Sequence, residues 1–320
     1  MEERTDLSLF NERITTIKEC VSNIIVGQQE AVDMLLTCIL ADGHVLIEGM
    51  PGVAKTLLAR LTAQLIDAKF SRVQFTPDLM PSDVLGTSVF NMKTQEFSFH
   101  PGPVFANIVL ADEINRSPAK TQAALFEVME ERQATIDGKT YRMDDVYTII
   151  ATQNPIEQEG TYRLPEAQLD RFLMKISMDY PNVDEEVEIL KRHNGNSQFA
   201  KLDGIKPIIS MEQLTELRRM LDKVVIEESL MRYIAEIIQQ TRQSKSVFLG
   251  ASPRATVAVM QCAKAYALLQ GRDFVAPDDI KVVTPYILRH RITLNAEAEM
   301  SGFTTDKVIG ALINNVEVPK

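Results

Sequence analysis

The sequence predicts an α/β fold in which helices flank a parallel sheet, followed by a smaller all-α domain. Three observations support this prediction: short apolar strands alternate with helical segments in the first half, the central strands are continuously apolar, and strand signals end near Pro181. Strands that are buried on both faces of a parallel sheet read as uninterrupted apolar runs. The length of 320 residues suits one large unit and one smaller unit.

The first half opens with two helical patterns and then alternates between strands and helices. Ser117 is a candidate N-cap for one helix, with Pro118 in its first turn. In chain order we predict helices at 7–20 and 28–41, a strand at 44–48, a helix at 55–68, strands at 72–75 and 108–111, a helix at 119–132 and a strand at 147–152.

Two segments interrupt the alternation and are predicted to be hairpin insertions near 88–100 and 133–143. Asp137-Gly138 in the second insertion is a strong signal for a tight hairpin turn. After Pro181 the pattern becomes helical, with helices predicted at 183–193, 211–221, 228–240, 253–270 and 277–290. We therefore expect an α/β domain at 1–190 and an all-α domain at 205–320.

The formal charge of −10 argues against a broad basic surface that would hold nucleic acid by counterion release. The N-terminal ten residues lack the apolar run of a signal peptide, and no stretch has the roughly 18 apolar residues of a membrane span. Cys20, Cys38 and Cys262 are odd in number and far apart, which indicates neither a disulfide framework nor a zinc site. The histidines likewise show no ligand spacing. A cytoplasmic location is the simplest expectation.

A phosphate-binding loop is predicted at Gly49–Thr56, because this Gly-rich segment follows a strand and opens a helix. Backbone N–H groups in such a loop close around phosphate oxygens, and the helix N-terminus adds its positive dipole end. Lys55 would reach the β and γ phosphates, and the Thr56 hydroxyl would be a Mg²⁺ ligand. Ala54 replaces the usual glycine, and we expect it to keep a negative φ. The residues expected to contact nucleotide here are Gly49, Pro51, Gly52, Val53, Ala54, Lys55, Thr56 and Leu57.

Asp112 and Glu113 end the apolar strand at 108–111, and adjacent carboxylates at a buried strand end are costly unless a cation or a reaction uses them. Asp112 would hold Mg²⁺ through water, and Glu113 would polarise the attacking water as a general base. A solvated turn is the alternative. Asn154 ends the next strand, where it would orient the attacking water or else form an Asn-Pro turn.

Two arginines have alternative interpretations. Arg171 either forms a surface pair with Asp170 or acts in trans as an arginine finger. Arg254 stands at a predicted helix N-terminus after Ser252-Pro253, where the dipole disfavours a cation, so either a nearby anion such as a phosphate or extension into water would explain it.

The order of these motifs resembles the MoxR family of AAA+ ATPases, and the resemblance covers nearly the whole chain. The strings that carry it are Gly52-Val53-Ala54-Lys55-Thr56, Asp112-Glu113-Ile114-Asn115-Arg116, Ala151-Thr152-Gln153-Asn154-Pro155 and Val275-Ala276-Pro277-Asp278-Asp279-Ile280. The family's fold is a P-loop AAA+ core with a parallel sheet flanked by helices and a smaller all-α lid, and its cofactors are ATP and Mg²⁺.

The resemblance also implies residue roles. Asn154 would be sensor 1, Arg254 would be sensor 2 acting in cis, and Arg171 would be the arginine that acts in trans, with Arg163 as a second candidate. Gly27 and Gln28 would lie against the adenine.

The resemblance further implies a homo-oligomer, typically a hexameric ring, that couples ATP hydrolysis to chaperone-like remodelling or maturation of partner proteins. Such relatives often work with a von Willebrand factor A domain protein. A metal-chelatase ATPase subunit, a nucleic-acid-acting motor and a nucleotide-binding scaffold without turnover are the alternatives. The net negative charge argues against a nucleic-acid-acting motor. The presence of Glu113 argues against a scaffold without turnover, because a protein that only binds nucleotide needs no general base.

Overall fold

The computed structural model describes residues 8–93, 95–155, 162, 164–195, 202 and 204–319. Its strands comprise a main parallel sheet and three short antiparallel pairs. The strands are β1 (Val45–Gly49), β2 (Phe70–Gln74), β3 (Gly86–Asn91), β4 (Glu96–Pro101), β5 (Ile108–Asp112), β6 (Gln133–Ile136), β7 (Lys139–Arg142), β8 (Thr148–Gln153), β9 (Met174–Met178), β10 (Val247–Leu249) and β11 (Thr293–Leu294).

Helices connect these strands and make up most of the second half. Two 3-10 helices, Ile114–Arg116 and Leu221–Lys223, are also present. The α-helices are α1 (Ser8–Ile24), α2 (Gln29–Leu40), α3 (Lys55–Leu65), α4 (Pro81–Leu85), α5 (Ala119–Glu131), α6 (Glu166–Leu169), α7 (Val183–Gly195), α8 (Met211–Met220), α9 (Glu228–Gln243), α10 (Pro253–Leu269), α11 (Pro277–Leu288), α12 (Ala296–Met300) and α13 (Thr305–Asn314).

The main sheet has the strand order β2-β5-β8-β1-β9, and every neighbouring pair is parallel. The register pairs Val45 with Met174 and Gly49 with Met178, so the first and last residues of β1 and β9 align. The carboxyl ends of all these strands therefore lie at one edge of the sheet. We refer to this edge as the carboxyl edge and to the opposite one as the amino edge.

Alternation along the strands divides the core into two layers, because successive side chains point to opposite faces. Val45 and Ile47 pack into a layer with α1, α2 and α3, whereas Leu46 packs with α5 on the other face. The first layer continues without interruption into α10 and α11 of the second half. The helical region is thus packed directly against the α/β core.

Both predicted hairpins are present as β3–β4 and β6–β7, at 86–101 and 133–142. Phe99 on β4 and Tyr141 on β7 bring their ring centroids to 4.2 Å, and Phe105 packs against both rings. The two insertions therefore touch through an aromatic cluster at their bases.

Several details differ from the predictions. The apolar stretch at 174–178 forms a fifth strand of the sheet, and β10 pairs with β11 inside the mainly helical region. Pro118, rather than Ser117, is the N-cap of α5, and the Ser117 hydroxyl approaches the Ile114 carbonyl instead. None of the helices that the structure describes has the length and apolar content of a membrane span.

Candidate functional site

The phosphate loop connects β1 to α3 at the carboxyl edge. Gly52 has φ +88°, and Ala54, the N-cap of α3, has φ +67°. The expectation of a negative φ at Ala54 is wrong, because the loop requires a left-handed turn at the residue before the helix. An L-residue pays roughly 1–2 kcal/mol for this conformation. The backbone therefore takes the turn that glycine would favour even though the residue is alanine.

Lys55 and Thr56 begin α3 and direct polar atoms towards the loop and the sheet. The Lys55 ammonium donates a hydrogen bond to the Gly49 carbonyl, so the side chain folds back across the loop. The Thr56 hydroxyl lies 3.4 Å from Asp112 Oδ2 on β5. A hydroxyl and a carboxylate oxygen at this separation are suitable ligands for Mg²⁺, which prefers oxygen donors.

Thr152 on β8 organises both carboxylate residues. Its hydroxyl donates to Asp112 Oδ1 at 2.5 Å and accepts from the Glu113 backbone N–H at 2.9 Å. A hydroxyl has one proton to donate and lone pairs that accept, so it can serve both contacts at once. The buried Asp112 is thereby fixed in orientation, and the chain is held as it leaves β5.

Arg72 on the neighbouring strand β2 neutralises Asp112. Its Nε and Nη2 both donate to Asp112 Oδ2, at 3.0 and 2.7 Å. This is the oxygen that Thr56 approaches. A charge-assisted pair therefore already occupies the carboxylate oxygen that a metal ion would use.

The Glu113 carboxylate has hydrogen-bond partners different from those of Asp112. Its backbone has φ +56°, and its Oε2 accepts from Gln74 Nε2 at 2.7 Å and from Arg116 Nη1 at 3.0 Å. The side chain remains about one-third exposed, so solvent reaches it. Asn154, directly after β8, is buried at the same edge of the sheet.

An apolar cavity of about 240 Å³ adjoins the phosphate loop. Gln28 lines it together with Ile189 and His193 of α7, and the Gln28 side chain donates to the Asp179 carbonyl at 2.8 Å. Gly27 precedes it with φ +69°, and the Glu185 carboxylate occupies the place that a Cβ would need. The cavity's size and apolar walls suit a purine ring.

Arg171 lies at the opposite, amino edge. It stands three residues before β9, and the Leu173 N–H donates to the carbonyl of His44, the residue before β1. Five-residue strands separate this edge from Gly49 by roughly 13 Å. Arg171 donates to the Phe126 carbonyl on α5 and comes within 4.0 Å of Glu130.

Arg254 belongs to the same amino-edge group, so the expectation that it completes the nucleotide site of its own chain is not supported. Its guanidinium lies 4.0 Å from Glu130 and 3.9 Å from Asp170. The anions that accompany it are thus carboxylates of the core, because α10 packs with its N-terminus over this edge. Its side chain is 69% exposed.

The expected surface ion pair between Asp170 and Arg171 is not formed between these two residues in the structure. Asp170 instead accepts from the buried Arg291 at 2.7 Å. The partly buried Arg171 and the exposed Arg254 therefore both approach Glu130, each to 4.0 Å. Arg163, the second candidate for the trans-acting arginine, lies outside the described residues.

Sequence reasoning missed Arg72, Gln74, Arg116 and the bridging role of Thr152. Strand alternation places Arg72 and Gln74 on one face of β2, because they are two residues apart, but the sequence carries no signal that β2 neighbours β5. In the described part of the chain, no three His, Cys, Asp or Glu side chains cluster as a metal site built from them would require. A single carboxylate with a hydroxyl is instead the kind of site in which substrate phosphates complete the coordination of Mg²⁺.

Comparison with known proteins places these features in context. Residues 44–174 match the model of the ATPase family associated with various cellular activities (AAA), and residues 239–311 match the AAA lid domain. The chain is 42% identical to Chaperone MoxR1 of Mycobacterium tuberculosis, covering 94% of this chain and 81% of that protein. It is 30% identical to Protein MoxR of Methylorubrum extorquens, covering 88% and 87% respectively. The solved structure of a candidate ATPase from Cytophaga hutchinsonii superposes with a TM-score of 0.89 at 43% identity, covering 98% of each chain.

Proposed function

We propose that this chain, which belongs to the MoxR family of AAA+ ATPases, hydrolyses ATP and uses the energy to remodel or mature partner proteins. The observation that carries the proposal is the convergence at the carboxyl edge of the phosphate loop, Asp112 and Glu113. A loop alone would bind nucleotide, whereas a carboxylate held beside it adds a base for hydrolysis.

The binding roles follow from this geometry. Backbone N–H groups of the loop and the N-terminus of α3 would hold the phosphates, and Lys55 would exchange the Gly49 carbonyl for phosphate oxygens. The adenine would enter the apolar cavity beside Gln28. Thr56 and Asp112 would hold Mg²⁺, which when bound neutralises phosphate charge and acts as a Lewis acid.

Glu113 is the residue that we assign as the general base. Gln74 and Arg116 both donate to its carboxylate and hold it in position at the carboxyl edge. Asn154 would orient the attacking water from the neighbouring strand. Proton transfer to Glu113 would be the step that this chain's own carboxylate contributes to hydrolysis.

The arginines at the amino edge require a second subunit. Arg171 and Arg254 lie on the far side of the sheet from their own phosphate loop, so they would reach a nucleotide only across an interface with another copy. We propose that the chain forms a closed homo-oligomer, a hexamer being the expected size, in which both arginines face the neighbour's phosphates. Positive charge there would stabilise the charge that develops in the transition state.

The proposed work on proteins rests on similarity to a relative named as a chaperone, Chaperone MoxR1. We propose a von Willebrand factor A domain protein as the partner. We also propose that the protein acts in the cytoplasm.

Nucleotide binding and phosphate release, measured separately, test the proposed reaction. We expect Lys55→Ala to weaken ATP binding by roughly 10- to 150-fold, the equivalent of about 1.5–3 kcal/mol for a charge-assisted contact. Glu113→Gln should bind ATP as the wild type does and lose about 10²- to 10⁴-fold in turnover. Equal loss of binding in both variants would contradict the two roles. If wild-type protein with Mg²⁺ and ATP releases no phosphate at any protein concentration, the hydrolase assignment fails.

A further inference from the structure

One buried arginine of the helical region holds the segment that carries Arg171. Arg291 stands just after α11, and its side chain is only 5% exposed. Its guanidinium makes five hydrogen bonds, which is the full donor capacity of that group. Four of the acceptors lie in the segment 170–173, and the fifth is the Ile287 carbonyl on α11. A single side chain of the helical region thus fastens this segment of the core.

The four contacts with the segment lie on both sides of Arg171. Before it, Arg291 Nε donates to Asp170 Oδ1 at 2.7 Å, and Nη2 donates to the Asp170 carbonyl at 3.2 Å. After it, Nη2 also donates to the Phe172 carbonyl at 2.7 Å, and Nη1 donates to the Leu173 carbonyl at 3.0 Å. The backbone is therefore fixed immediately before and after Arg171, and the direction in which the Arg171 side chain leaves the backbone is fixed with it.

Packing holds the same segment from the side of the core. The Phe172 side chain is fully buried, and its ring lies edge-on to that of Phe126 with the centroids 5.9 Å apart. The Leu173 N–H donates to the His44 carbonyl, which joins the segment to the start of β1. The Arg171 side chain, by contrast, is 31% exposed. A partly exposed cation thus stands on a backbone segment that is buried and hydrogen-bonded on both sides.

The contacts of Arg291 require the shape of an arginine as well as its charge. Burying a charged group has a desolvation cost that a partner charge and hydrogen bonds must offset. A guanidinium presents five donors in a rigid plane, so it can reach a carboxylate and several carbonyls at once. A lysine would keep the charge, but its three donors radiate from one atom. Arg291 is therefore suited to orient the segment 170–173, which an apolar residue or a lysine could not do equally well.

We propose that Arg291 is a positioning residue for Arg171, holding the segment 170–173 so that Arg171 faces the phosphates bound by the neighbouring copy. This inference rests on the proposed action of Arg171 in trans. Arg291 acts on the segment that carries Arg171 and not on the nucleotide. Because Arg291 belongs to the helical region, a displacement of that region relative to the core would also displace Arg171. The helical region of one copy would thereby influence hydrolysis at the site of the next.

A double-mutant cycle between Arg291→Lys and Arg171→Ala tests the proposal. Phosphate release is measured in single turnover with protein in excess over ATP, and the affinity for a non-hydrolysable ATP analogue is measured in parallel. We expect Arg291→Lys to lower the rate roughly 10- to 100-fold with unchanged analogue affinity, because the arginine that it positions is displaced. In the Arg171→Ala background the same change should lower the rate by less than about 2-fold, because the group that it positions is already absent.

Arg289→Lys is the matched control. The Arg289 side chain is 11% exposed and also joins the helical region to the core. In the described residues its hydrogen bonds to the core go to β9, where it donates to the Lys175 carbonyl and to the Ser177 hydroxyl at 3.2 Å each. We expect the rate of Arg289→Lys to stay within about 2-fold of the wild-type rate.

Asp170→Asn replaces Arg291→Lys in the cycle if thermal unfolding shows that the lysine variant does not fold. The change keeps the shape of the side chain and removes the charge from the contact with Arg291 Nε. We expect a smaller loss of a few-fold, because a neutral acceptor bonds a guanidinium more weakly than a carboxylate does. Asp170 also lies 3.9 Å from Arg254. A loss that persists in the Arg171→Ala background would indicate an effect through Arg254 and would contradict the proposal.

Three outcomes would overturn the proposal while leaving the proposed function intact. They are an equal fold-loss from Arg291→Lys in both backgrounds, a wild-type rate in Arg291→Lys, and an equal loss in Arg289→Lys, which would indicate a general effect of the contact between the helical region and the core. Failure of the proposed function is distinguishable. A wild-type rate in Arg171→Ala would overturn the role of Arg171 and this proposal with it, and a wild-type protein that releases no phosphate would overturn hydrolysis itself.

Discussion

Arg72 and Asp112 form a two-donor ion pair on the carboxylate oxygen that a metal ion would use. Arg72 Nε and Nη2 donate to Asp112 Oδ2 at 3.0 and 2.7 Å, and the Thr56 hydroxyl lies 3.4 Å from the same oxygen. A cation arriving with nucleotide phosphates would therefore compete with the guanidinium. The half-exposed Arg72 side chain is free to move towards solvent when it is displaced.

We expect Arg72→Gln to tighten nucleotide-dependent metal binding by a few-fold, because an exposed ion pair that opposes the metal contributes about 1 kcal/mol or less. The measurement is Mn²⁺ binding by electron paramagnetic resonance in the presence of ATP analogue, with Arg60→Gln on α3 as the control. A weaker metal affinity in Arg72→Gln would mean that the arginine supports the metal site rather than competing for it.

We expect Thr152→Val to lower turnover by roughly 10- to 100-fold, since small displacements of a positioned group are costly to catalysis. The change removes the hydroxyl that joins Asp112 to the Glu113 backbone while keeping the branched shape. Thr152→Ser should retain most activity. Thr148→Val is a matched control, because Thr148 is equally buried on β8 and its hydroxyl is without a hydrogen-bond partner in the described residues. Equal loss in both valine variants would indicate a packing effect instead.

His44 predicts a pH dependence of folding stability. Its ring accepts from the Ile149 N–H at 3.0 Å and donates from Nε2 to the Met129 carbonyl at 3.1 Å, so the neutral form bridges β8 and α5. Burial lowers the pKa of His44 to about 4, whereas in the unfolded chain it is about 6.5. The unfolded state binds the proton first, so the stabilisation is present above pH 6.5 and is lost as the pH falls towards 4.

Between pH 7 and pH 5, the difference between the folded and unfolded pKa values of His44 lowers the free energy of unfolding by about 2 kcal/mol. Urea unfolding at the two pH values measures it. His44→Gln should lose less stability than wild type over this interval, by about that amount, while the exposed His100→Gln should behave as wild type. An unchanged pH dependence in His44→Gln would show that the ring does not control it.

Local patterns in the sequence were sufficient to predict the carboxyl edge of the sheet. Glycines between a strand and a helix indicated the loop at Gly49, and the buried strand before Asp112 indicated where the carboxylates would meet it. Each of these two sequence patterns spans only about ten consecutive residues, so it can be recognised without knowing the tertiary structure. The parallel sheet then brings separate strand ends together because its chain directions agree.

Arg254 could not be placed from the sequence because its position depends on how α10 packs against the core. The N-terminus of that helix is recognisable, but the edge of the sheet over which it lies follows from contacts of α10 with α2 and of Asp170 with Arg291. Arg72 was missed for a related reason. Its role arises from the pairing of β2 with β5, and strand order is a tertiary property.

The central claim is that each nucleotide site is completed by a neighbouring copy, and mixing two inactive variants tests it most directly. Glu113→Gln retains Arg171 but lacks the base, whereas Arg171→Ala retains the base but lacks the arginine. In an equimolar mixture, shown to co-assemble by mass photometry, we expect phosphate release to recover to about a quarter of the wild-type rate, since about a quarter of heterologous junctions would combine both intact residues. A co-assembled mixture that remains as inactive as either variant alone would contradict action in trans.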